Sequence, residues 1–344
     1  MEAGRRRPTI DDVARHAGVS IATVSRVLNG SAPVVGETAD RVRRAVTALD
    51  YRPTAAARIL AQRRTNTIGL VLPHISGDYM ASLLRGIEAE VRRAGMHLLV
   101  STAGAGGGSA LGDHNTDGLL IFAGGLDDAE VRRVWARRHP VVLLHRTPPE
   151  ALPIPCVTVE NKEGARAIVE HLIHVHGHRR IGYLRGPAGH EDSAWRELGF
   201  REALEERGID PDAARIGTGD FSVAGGEAQT ATWIASGRPL DAIFAGDDAS
   251  AIGALRALRA AWMAGRVAVV GFDDTPIARH CTPALTTVSA PTEEVGAEAV
   301  RQLLALERGL PVMPLVLLPT RVIVRGSCGC AEVTAQGFGP RGMA

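Results

Sequence analysis

The chain has 344 residues, of which 45% are hydrophobic, and a formal net charge of +1 at pH 7. This composition is typical of a soluble globular protein with two or three domains. The first residues lack the apolar stretch of a secretory signal, and no apolar run reaches the length of a membrane span. Four cysteines in a chain of this length do not indicate a disulfide framework. We therefore expect a cytoplasmic protein without a membrane segment.

Basic residues are concentrated in the first part of the chain. Residues 1–64 contain 12 arginines and 6 acidic residues, a net charge of +6, whereas the remainder contains 27 basic and 32 acidic residues, a net charge of −5. A basic head on a mildly acidic body is the charge distribution of a nucleic-acid-binding module attached to a separate domain. The three consecutive arginines at positions 5–7 add a basic arm.

Residues 9–17 predict a short helix with both ends marked. Thr9 and Asp12 have the spacing of a capping box. Apolar side chains from Ile10 to Ala17 then recur at the i, i+3, i+4, i+7 spacing of one helix face. Gly18 suits the left-handed conformation in which helices commonly end. A second helix can therefore begin only a few residues further on.

This second helix is predicted to start after Ser20, which can cap its N-terminus. The side chains expected on its outer face are Ile21, Ala22, Thr23, Ser25, Arg26 and Asn29. Hydroxyls on such a face can reach phosphates and an arginine can reach a base edge, so the face fits a DNA major groove. An ordinary helical hairpin with a solvated face also fits this pattern. A third amphipathic segment at residues 42–49 favours the DNA-binding module because it would close a three-helix core.

From residue 65 onward, short apolar segments alternate with amphipathic ones. Strands are predicted at 67–72, 97–101, 118–122, 141–144, 181–184, 242–245 and 267–271, and helices at 79–93, 127–138, 162–175, 195–207, 223–235, 248–261 and 292–307. Apolar strands that alternate with helices indicate parallel sheets covered on both faces. Because about ten strands are too many for one sheet, we expect two doubly wound α/β subdomains. Such sheets bind ligands at the carboxyl ends of their strands.

Several motifs follow one another along the chain: residues 9–29, E-T-A-D-R-V at 37–42, Y-R-P-T-A-A-A-R at 51–58, V-V-G-F-D-D at 269–274 and P-A-L-T-T-V at 283–288. Together they closely resemble the LacI/GalR family of bacterial transcription regulators, over about residues 8–328. The resemblance implies an all-α helix-turn-helix headpiece at 1–50 and a hinge helix at 51–64. It further implies two doubly wound Rossmann-like lobes of the periplasmic-binding-protein type at 65–330, and a flexible tail at 331–344.

The resemblance also implies roles for individual residues of the headpiece and hinge. Specificity is expected at Ile21, Ala22 and Arg26, where the arginine can pair with guanine and the apolar side chains can contact a thymine methyl group. The remaining headpiece contacts, chiefly to phosphates, are expected from Thr9, Ser20, Thr23, Ser25, Asn29 and Tyr51. Leu60 matches the hinge leucine that this family inserts into the minor groove to kink the operator.

For a small-molecule effector, the resemblance marks a cleft between the two lobes. The expected contacts are Tyr79, His145, Arg196, Phe221, Gly246 and Asp273. A carboxylate and a guanidinium opposed across aromatic walls suit a polyhydroxylated ligand, since each hydroxyl both donates and accepts a hydrogen bond. His145 stands where the family usually has aspartate and Gly246 where it usually has asparagine, and the Gly-rich segment 103–117 is shorter than its counterpart. A purine-like or other ligand is therefore an alternative to a sugar.

Three other signals are not assigned a function. The Gly-rich residues 104–108 follow a strand, but the third glycine of a dinucleotide-binding loop would be Ser109, so no NAD site is predicted. Four histidines at positions 171–178 suit a helix C-terminus, and Cys328 and Cys330 supply half a zinc site at best. We expect no metal, no cofactor and no enzymatic activity, since no G-x-S-x-G motif or other nucleophile–base pair stands out.

These observations predict a homodimeric transcription regulator that binds double-stranded DNA at a pseudo-palindromic operator. We expect a repressor that is released when a small molecule, in the first instance a carbohydrate, closes the cleft. A solute-binding module without DNA function and an enzyme of the doubly wound class are the alternatives from other classes. A regulator that requires its ligand as a co-repressor also remains open.

Overall fold

The structure, a computed structural model, describes residues 8–29, 32–51, 64–102, 110–150, 152–211 and 214–331. The basic arm at 5–7, the predicted hinge leucine Leu60, residues 103–109 and the tail beyond Ala331 lie outside these ranges, as does the side chain of Asn29. The chain divides into two compact units, one formed by residues 1–67 with 114–117 and the other by the remainder.

The first unit contains the three predicted helices. They are α1 (Ile10–Ala17), α2 (Ile21–Asn29) and α3 (Gly36–Ala48). Val13, Val24 and Val42, one from each helix, are fully buried and lie at the centre of a small apolar core. The helical spacing of apolar residues thus produces the three-helix headpiece that the sequence predicts.

The ends of these helices follow the predicted capping chemistry at α1. Thr9 accepts a hydrogen bond from the backbone N–H of Asp12, and the Asp12 carboxylate accepts one from the backbone N–H of Thr9. Gly18 ends the helix with a left-handed φ of 63°. α3 differs, because Val35 at its N-cap offers no side-chain acceptor to the first turn.

The second unit contains two six-stranded sheets. The strands of the first are β1 (Thr67–Leu72), β2 (His97–Thr102), β3 (Gly118–Phe122), β4 (Val141–Leu144), β5 (Cys156–Val159) and β11 (Leu315–Leu318), in the order β11-β5-β4-β3-β1-β2. The central strand β3 runs parallel to both neighbours, with Leu120 opposite Leu70 and Val142. All residues of β3 and β4 are buried, as expected of parallel strands covered on both faces.

The second sheet repeats this arrangement. Its strands are β6 (Ile181–Arg185), β7 (Arg215–Thr218), β8 (Ala242–Ala245), β9 (Ala268–Asp273), β10 (Thr286–Ser289) and β12 (Arg321–Ile323), in the order β12-β10-β9-β8-β6-β7. β8 pairs in parallel with both β6 and β9. Only the edge strand β12 among these described strands is antiparallel, with Val322 opposite Val288.

Helices cover both sheets. They are α4 (Asp78–Arg93), α5 (Asp128–Ala136), α6 (Asn161–His176), α7 (Glu191–Glu205), α8 (Val223–Ala235), α9 (Asp248–Ala260), α10 (Pro276–His280) and α11 (Thr292–Glu307). The chain passes between the sheets three times, from β5 to α6, from β10 to α11 and from β11 to β12. The first sheet with its helices is here named the N-terminal lobe and the second the C-terminal lobe. The prediction of two doubly wound α/β lobes is confirmed.

Two local predictions need correction. The sequence does not predict the strands β5, β7, β10, β11 and β12. Each has at most four residues, and several contain polar or half-exposed positions, so that no continuous apolar run marks them in the sequence. Helix α7 begins at Glu191 rather than at residue 195. Its first turns bury the polar side chains of Asp192, Ser193 and Arg196, so a search for an apolar helix face misses them.

Candidate DNA-binding surface and ligand cleft

Helix α2 presents the face that the sequence assigns to DNA. The Ser20 hydroxyl accepts a hydrogen bond from the backbone N–H of Thr23 at 3.2 Å and pairs with its hydroxyl at 2.9 Å, which starts the helix. Ile21 is 47% exposed, and Ala22 and Arg26 are exposed beside it. The structure therefore brings the three predicted base-reading side chains to the surface of the headpiece.

The other predicted DNA contacts lie in more varied settings. Thr23 and Ser25 are half-buried on α2. The Thr9 hydroxyl lies 2.8 Å from an Asp12 carboxylate oxygen within the cap of α1. Tyr51 packs into the headpiece core with 7% of its surface exposed, which leaves little of the side chain for a phosphate. Leu60 and the Asn29 side chain lie outside the described residues.

A cavity of about 860 Å³ opens between the two lobes at the carboxyl ends of their strands. Its N-terminal-lobe wall includes Tyr79, Phe122 and His145. Its C-terminal-lobe wall includes three further predicted contacts, Arg196, Phe221 and Asp273, together with His190, Asp192 and Asp248. The volume is within the usual range for small-molecule sites. Five of the six predicted effector residues thus line one cavity.

Gly246 is placed differently from the prediction. It lies at the end of β8 and does not belong to the cavity lining, but its carbonyl oxygen accepts a hydrogen bond from Nη1 of Arg196. A Cβ atom at this position would lie 3.0 Å from the carbonyl oxygen of Leu184 and 3.5 Å from the Phe221 ring. Gly246 therefore positions Arg196 through its carbonyl group, from a place outside the cavity lining.

A relay of hydrogen-bonded side chains links the two lobes across the cavity. The Tyr79 hydroxyl lies 2.6 Å from Nε2 of His145. Nδ1 of His145 lies 2.7 Å from the Asp192 carboxylate on the opposite lobe and 3.1 Å from the Thr158 hydroxyl. His145 is 1% exposed, so these partners hold its ring in one orientation.

Arg196 is the centre of the C-terminal-lobe wall. Its Nε donates to the Asn161 side chain at 2.8 Å, and its guanidinium lies 3.7 Å from the centre of the Phe272 ring. Nη2 lies 3.4 Å from Asp273 and 3.9 Å from Asp192. A planar, permanently charged guanidinium can be held by stacking and several acceptors at once, which a lysine ammonium cannot.

Burial and charge move the two carboxyl groups beside Arg196 in opposite directions. Burial alone would raise the pKa of Asp192, but His145, Arg196 and His190 outweigh it and lower that pKa to about 2. The pKa of Asp273 is raised well above its ordinary value, because burial outweighs the attraction of Arg196. Oδ1 of Asp273 is buried and has no hydrogen-bond partner among the described residues. This buried oxygen is the atom that lies 3.4 Å from Nη2 of Arg196.

Four non-glycine residues of the cavity lining have backbone conformations that L-amino acids rarely adopt. Among these residues, the φ angles are 57° at His145, 51° at Phe221 and 109° at Asp273, and a fourth lining residue, Asp220, has a φ of 57°. Such conformations cost energy and cluster at functional sites, where they aim side chains that ordinary backbone would direct elsewhere.

Sequence reasoning missed Asp192, Asn161 and Phe122. Asp192 stands four residues before Arg196 on α7, so the i,i+4 spacing of opposite charges could have indicated it. Asn161 could not have been found this way, because its contact with Arg196 joins positions 35 residues apart. Phe122 ends a fully buried strand and reads from the sequence as an ordinary core residue.

The fold and these sites define a two-lobed α/β domain with a cavity between its lobes, in one chain with a helix-turn-helix headpiece. Residues 9–54 match the family described as bacterial regulatory proteins of the lacI family, and residues 169–328 match the periplasmic binding protein-like domain. No helix in the described ranges is long and apolar enough to cross a membrane.

Similar proteins cover nearly the whole chain. The HTH-type transcriptional regulator GalS of Salmonella typhimurium is 34% identical over 335 residues, 95% of this chain and 92% of that protein. CelR of Thermobifida fusca is 35% identical over 343 residues, 94% of this chain and 99% of that protein. The chain belongs to the LacI family of bacterial regulatory proteins and is a DNA-binding transcriptional regulator.

Solved structures agree with this assignment. The lac repressor dimer bound to operator and the anti-inducer ONPF superimposes with a TM-score of 0.79 at 28% identity, and the match covers 94% of this chain and 99% of that one. The CelR–cellobiose complex superimposes with a TM-score of 0.67 at 32% identity and covers 93% and 100% of the two chains.

Proposed function

We propose that this regulator is a homodimeric repressor that a carbohydrate releases from its operator. The observation that carries the proposal is the composition of the cleft, where Tyr79 and His145 give polar groups to the N-terminal-lobe wall and Asp192, Arg196 and Asp273 give them to the C-terminal-lobe wall. These groups combine donors and acceptors at fixed positions. A ligand that matches them must itself carry several groups that both donate and accept, as sugar hydroxyls do.

The aromatic side chains of the cleft support a sugar over a simple ion. Phe122 and Phe221 border the cavity on opposite lobes and offer apolar surface to the C–H face of a ring. Among similar proteins, CelR has been solved as a complex with cellobiose, and another relative, 32% identical, is the ribose operon repressor of Halalkalibacterium halodurans. His145, which belongs to the relay, stands where the family usually has aspartate. The identity of the sugar therefore depends on residues particular to this chain and is not taken from its relatives.

For DNA, the proposal assigns base recognition to Ile21, Ala22 and Arg26. All three are exposed on α2, and the capped start of that helix at Ser20 fixes their direction. Ser20, Thr23 and Ser25 would contact phosphates, and Leu60 would enter the minor groove. The similarity to a lac repressor dimer bound to operator supports a dimer on a two-fold site. Such a protein acts in the cytoplasm, where the DNA lies.

A self-association surface is available on the N-terminal lobe. The edge strand β2 leaves Leu99 and Val100 each 39% exposed. Exposed apolar side chains on an edge strand favour pairing with another chain. A second copy of this chain is the partner that a two-fold operator requires.

The cleft can regulate DNA binding because its polar relay joins the two lobes. A ligand that contacts both walls favours the lobe arrangement in which those contacts are complete. If that arrangement binds operator more weakly, the ligand and the operator weaken each other's binding by the same factor.

The test is fluorescence anisotropy of the protein on labelled duplexes tiled from its own upstream region, with and without sugars and nucleobases. Saturable binding to one pseudo-palindrome that a sugar weakens supports the proposal. Binding that a ligand strengthens means that the ligand is a co-repressor. Salt-sensitive binding that ignores sequence and every ligand contradicts the proposal.

Arg196→Met separates the ligand site from DNA binding. We expect the variant to keep its operator affinity in the absence of ligand and to lose the response to the sugar, because the substitution removes the central donor of the cleft. Arg201→Met is the matched control, since Arg201 lies on the same helix and pairs with Glu197 away from the cavity lining. Equal responses of the two variants would argue against this ligand site.

A further inference from the structure

Two pairs of potential metal ligands meet at one point of the C-terminal lobe. His171 and His176 belong to α6, whereas Cys328 and Cys330 lie more than 150 positions further along the chain. One ligand atom from each of the four lies within 4.8 Å of the others. None of the four belongs to the lining of the ligand cleft. This group is here named the His2Cys2 cluster.

The distances within the cluster match those of a tetrahedral metal site. The Cys330 sulfur lies 3.4 Å from Nε2 of His176 and 3.7 Å from Nε2 of His171. In a tetrahedral zinc site with Zn–S near 2.3 Å and Zn–N near 2.0–2.1 Å, sulfur and nitrogen ligands lie about 3.6 Å apart. A single ion can therefore sit among these atoms after only small side-chain adjustments.

Backbone structure positions both halves of the cluster. Helix α6 ends at His176 and is capped by Gly177, whose left-handed φ of 70° turns the chain, and the rings of His176 and His178 stack with their centres 5.5 Å apart. On the other side, Ser327 donates to the carbonyl of Val269 at 2.6 Å and accepts from the backbone N–H of Thr286 at 2.8 Å. These bonds fix the turn before Cys328 to the sheet.

The turn between the cysteines has a conformation that glycine allows. Gly329 adopts a φ of 99°, and a Cβ atom there would lie 3.6 Å from the His176 ring. This conformation lets two cysteines separated by one residue present both sulfurs to the same side. The Cys328 side chain is 1% exposed, while Cys330, His171 and His176 are half-buried, so an ion can enter from solvent.

We infer that the His2Cys2 cluster is a structural zinc site that ties the end of α6 to the end of the C-terminal lobe. The donor set decides the metal class: thiolate and imidazole ligands select Zn²⁺ over Mg²⁺ or Ca²⁺, which prefer oxygen. Four protein ligands fill a tetrahedral shell and leave no position for a substrate, as in structural sites. Binding displaces the thiol protons of Cys328 and Cys330 to solvent, so that two thiolates and two neutral imidazoles hold one Zn²⁺.

This inference reverses the prediction that the chain holds no metal. Sequence reasoning weighed the histidines and the Cys-x-Cys pair separately, and each is half a site. Of the four histidines, the structure groups His171 and His176 with the cysteines and leaves His174 exposed. Only the packing of α6 beside the turn at Gly326–Cys328 joins the two halves.

The test uses untagged full-length protein, purified under a thiol-free reductant and then exposed to Zn²⁺ or Co²⁺. We expect about one Zn²⁺ per chain by inductively coupled plasma mass spectrometry. The Co²⁺ form should show the visible bands of tetrahedral cobalt together with a thiolate charge-transfer band in the near ultraviolet. Zn²⁺ at about 100 times its Kd should raise the Tm of the metal-free protein by about 5–10 °C.

Matched variants separate this site from adventitious binding. Cys330→Ser and His176→Asn should each lower the bound zinc at least tenfold and abolish the cobalt charge-transfer or d–d bands. His174→Asn and Cys281→Ser, a neighbouring histidine and a free thiol outside the cluster, should bind zinc like the parent protein.

Three results would overturn the inference. One is parent protein that binds neither metal under reducing conditions. Another is a Cys328–Cys330 disulfide that persists under those conditions, seen as thiols that resist alkylation. The last is zinc bound equally by the parent and by the folded variants. The cobalt spectrum of the parent protein decides the question even if a variant fails to fold.

Discussion

Asp192 and Asp273 flank the same guanidinium and are buried to similar degrees, yet their pKa values move in opposite directions. The difference lies in the number of partners. Asp192 accepts from His145 at 2.7 Å and from Asn161 at 2.9 Å, whereas the partner of Asp273 among the described residues is the more distant Arg196 guanidinium at 3.4 Å. The partners of Asp192 therefore hold it as a carboxylate within the relay, whereas the raised pKa of Asp273 favours its protonated form.

The base-reading role of Arg26 can be tested by Arg26→Ala. We expect a loss of about 1–3 kcal/mol in operator binding and little loss on unrelated duplex, because a bidentate contact to guanine discriminates between bases. Competition binding with operators changed one base pair at a time is the measurement. Arg43→Ala, at an exposed position paired with Asp40 on α3, is the control. Equal losses on operator and unrelated DNA would assign Arg26 to a phosphate.

Asp248 gives a prediction about pH. Burial raises its pKa from 3.8 to about 7, although hydrogen bonds from Thr287 and Thr275 oppose the shift. The folded chain therefore holds a proton that the unfolded chain releases near pH 4. The contribution of this group to stability is complete below about pH 4 and is lost as the pH rises to about 7.

The measurement is urea unfolding of the α/β domain at several values between about pH 4 and pH 8. Asp248→Asn should reduce the fall in the free energy of unfolding across this window, because an amide does not titrate. The exposed Asp113→Asn should leave the fall unchanged. A fall of the same size in Asp248→Asn would assign it to other groups.

At the scale of elements, glycines set how closely helices pack. Gly86 on α4 faces the backbone of α11, where a Cβ atom would lie 1.8 Å from the carbonyl oxygen of Glu293. Gly296 on α11 meets α4 in the same way, 2.5 Å from the carbonyl oxygen of Leu83. In the C-terminal lobe, Gly199 on α7 would place a Cβ 2.2 Å from the carbonyl oxygen of Lys162 on α6. These helices approach each other through backbone contact.

Gly86→Ala should therefore destabilise the N-terminal lobe. Alanine is the better helix former, but its methyl group would force α4 and α11 apart and cost about 1–3 kcal/mol. Urea unfolding checks this value. Gly36→Ala serves as the control, since a Cβ at the first residue of α3 meets nothing within 4 Å. A neutral Gly86→Ala would mean that the helix pair tolerates a wider spacing.

On the scale of the whole molecule, charge is divided between the parts of the chain. Residues 1–64 have a net charge of +6 and the remainder has a net charge of −5. The two almost cancel, so the overall net charge of +1 does not show that the N-terminal part is strongly basic. The acidic body does not attract DNA, and long-range attraction must come from the head.

DNA affinity should consequently depend steeply on salt. If a dimer neutralises 6–10 phosphates, its affinity should fall by about 10³–10⁵ between 50 and 200 mM salt. Anisotropy titrations over a salt series give the slope, and replacing the three arginines at positions 5–7 by alanine should reduce it without changing which duplex is preferred. An unchanged slope would exclude the arm from phosphate contact.

The sequence by itself determined the headpiece and the class of the larger domain. Thr9, Asp12 and Gly18 act within one or two helical turns, and apolar periodicity reflects burial that each helix or strand needs locally. The resemblance to the LacI/GalR family also marked Tyr79, Arg196 and Asp273, and all three line the cavity between the lobes.

The tertiary structure alone decided how distant positions combine. The contact between Arg196 and Asn161, the relay from His145 to Asp192 and the His2Cys2 cluster each join elements that are remote in the chain. No local pattern encodes such contacts, because they depend on how strands are ordered in a sheet and which helices cover it. The same reason explains why Gly246 lies outside the cavity lining and contacts Arg196 instead, although the family resemblance implies a contact with the ligand.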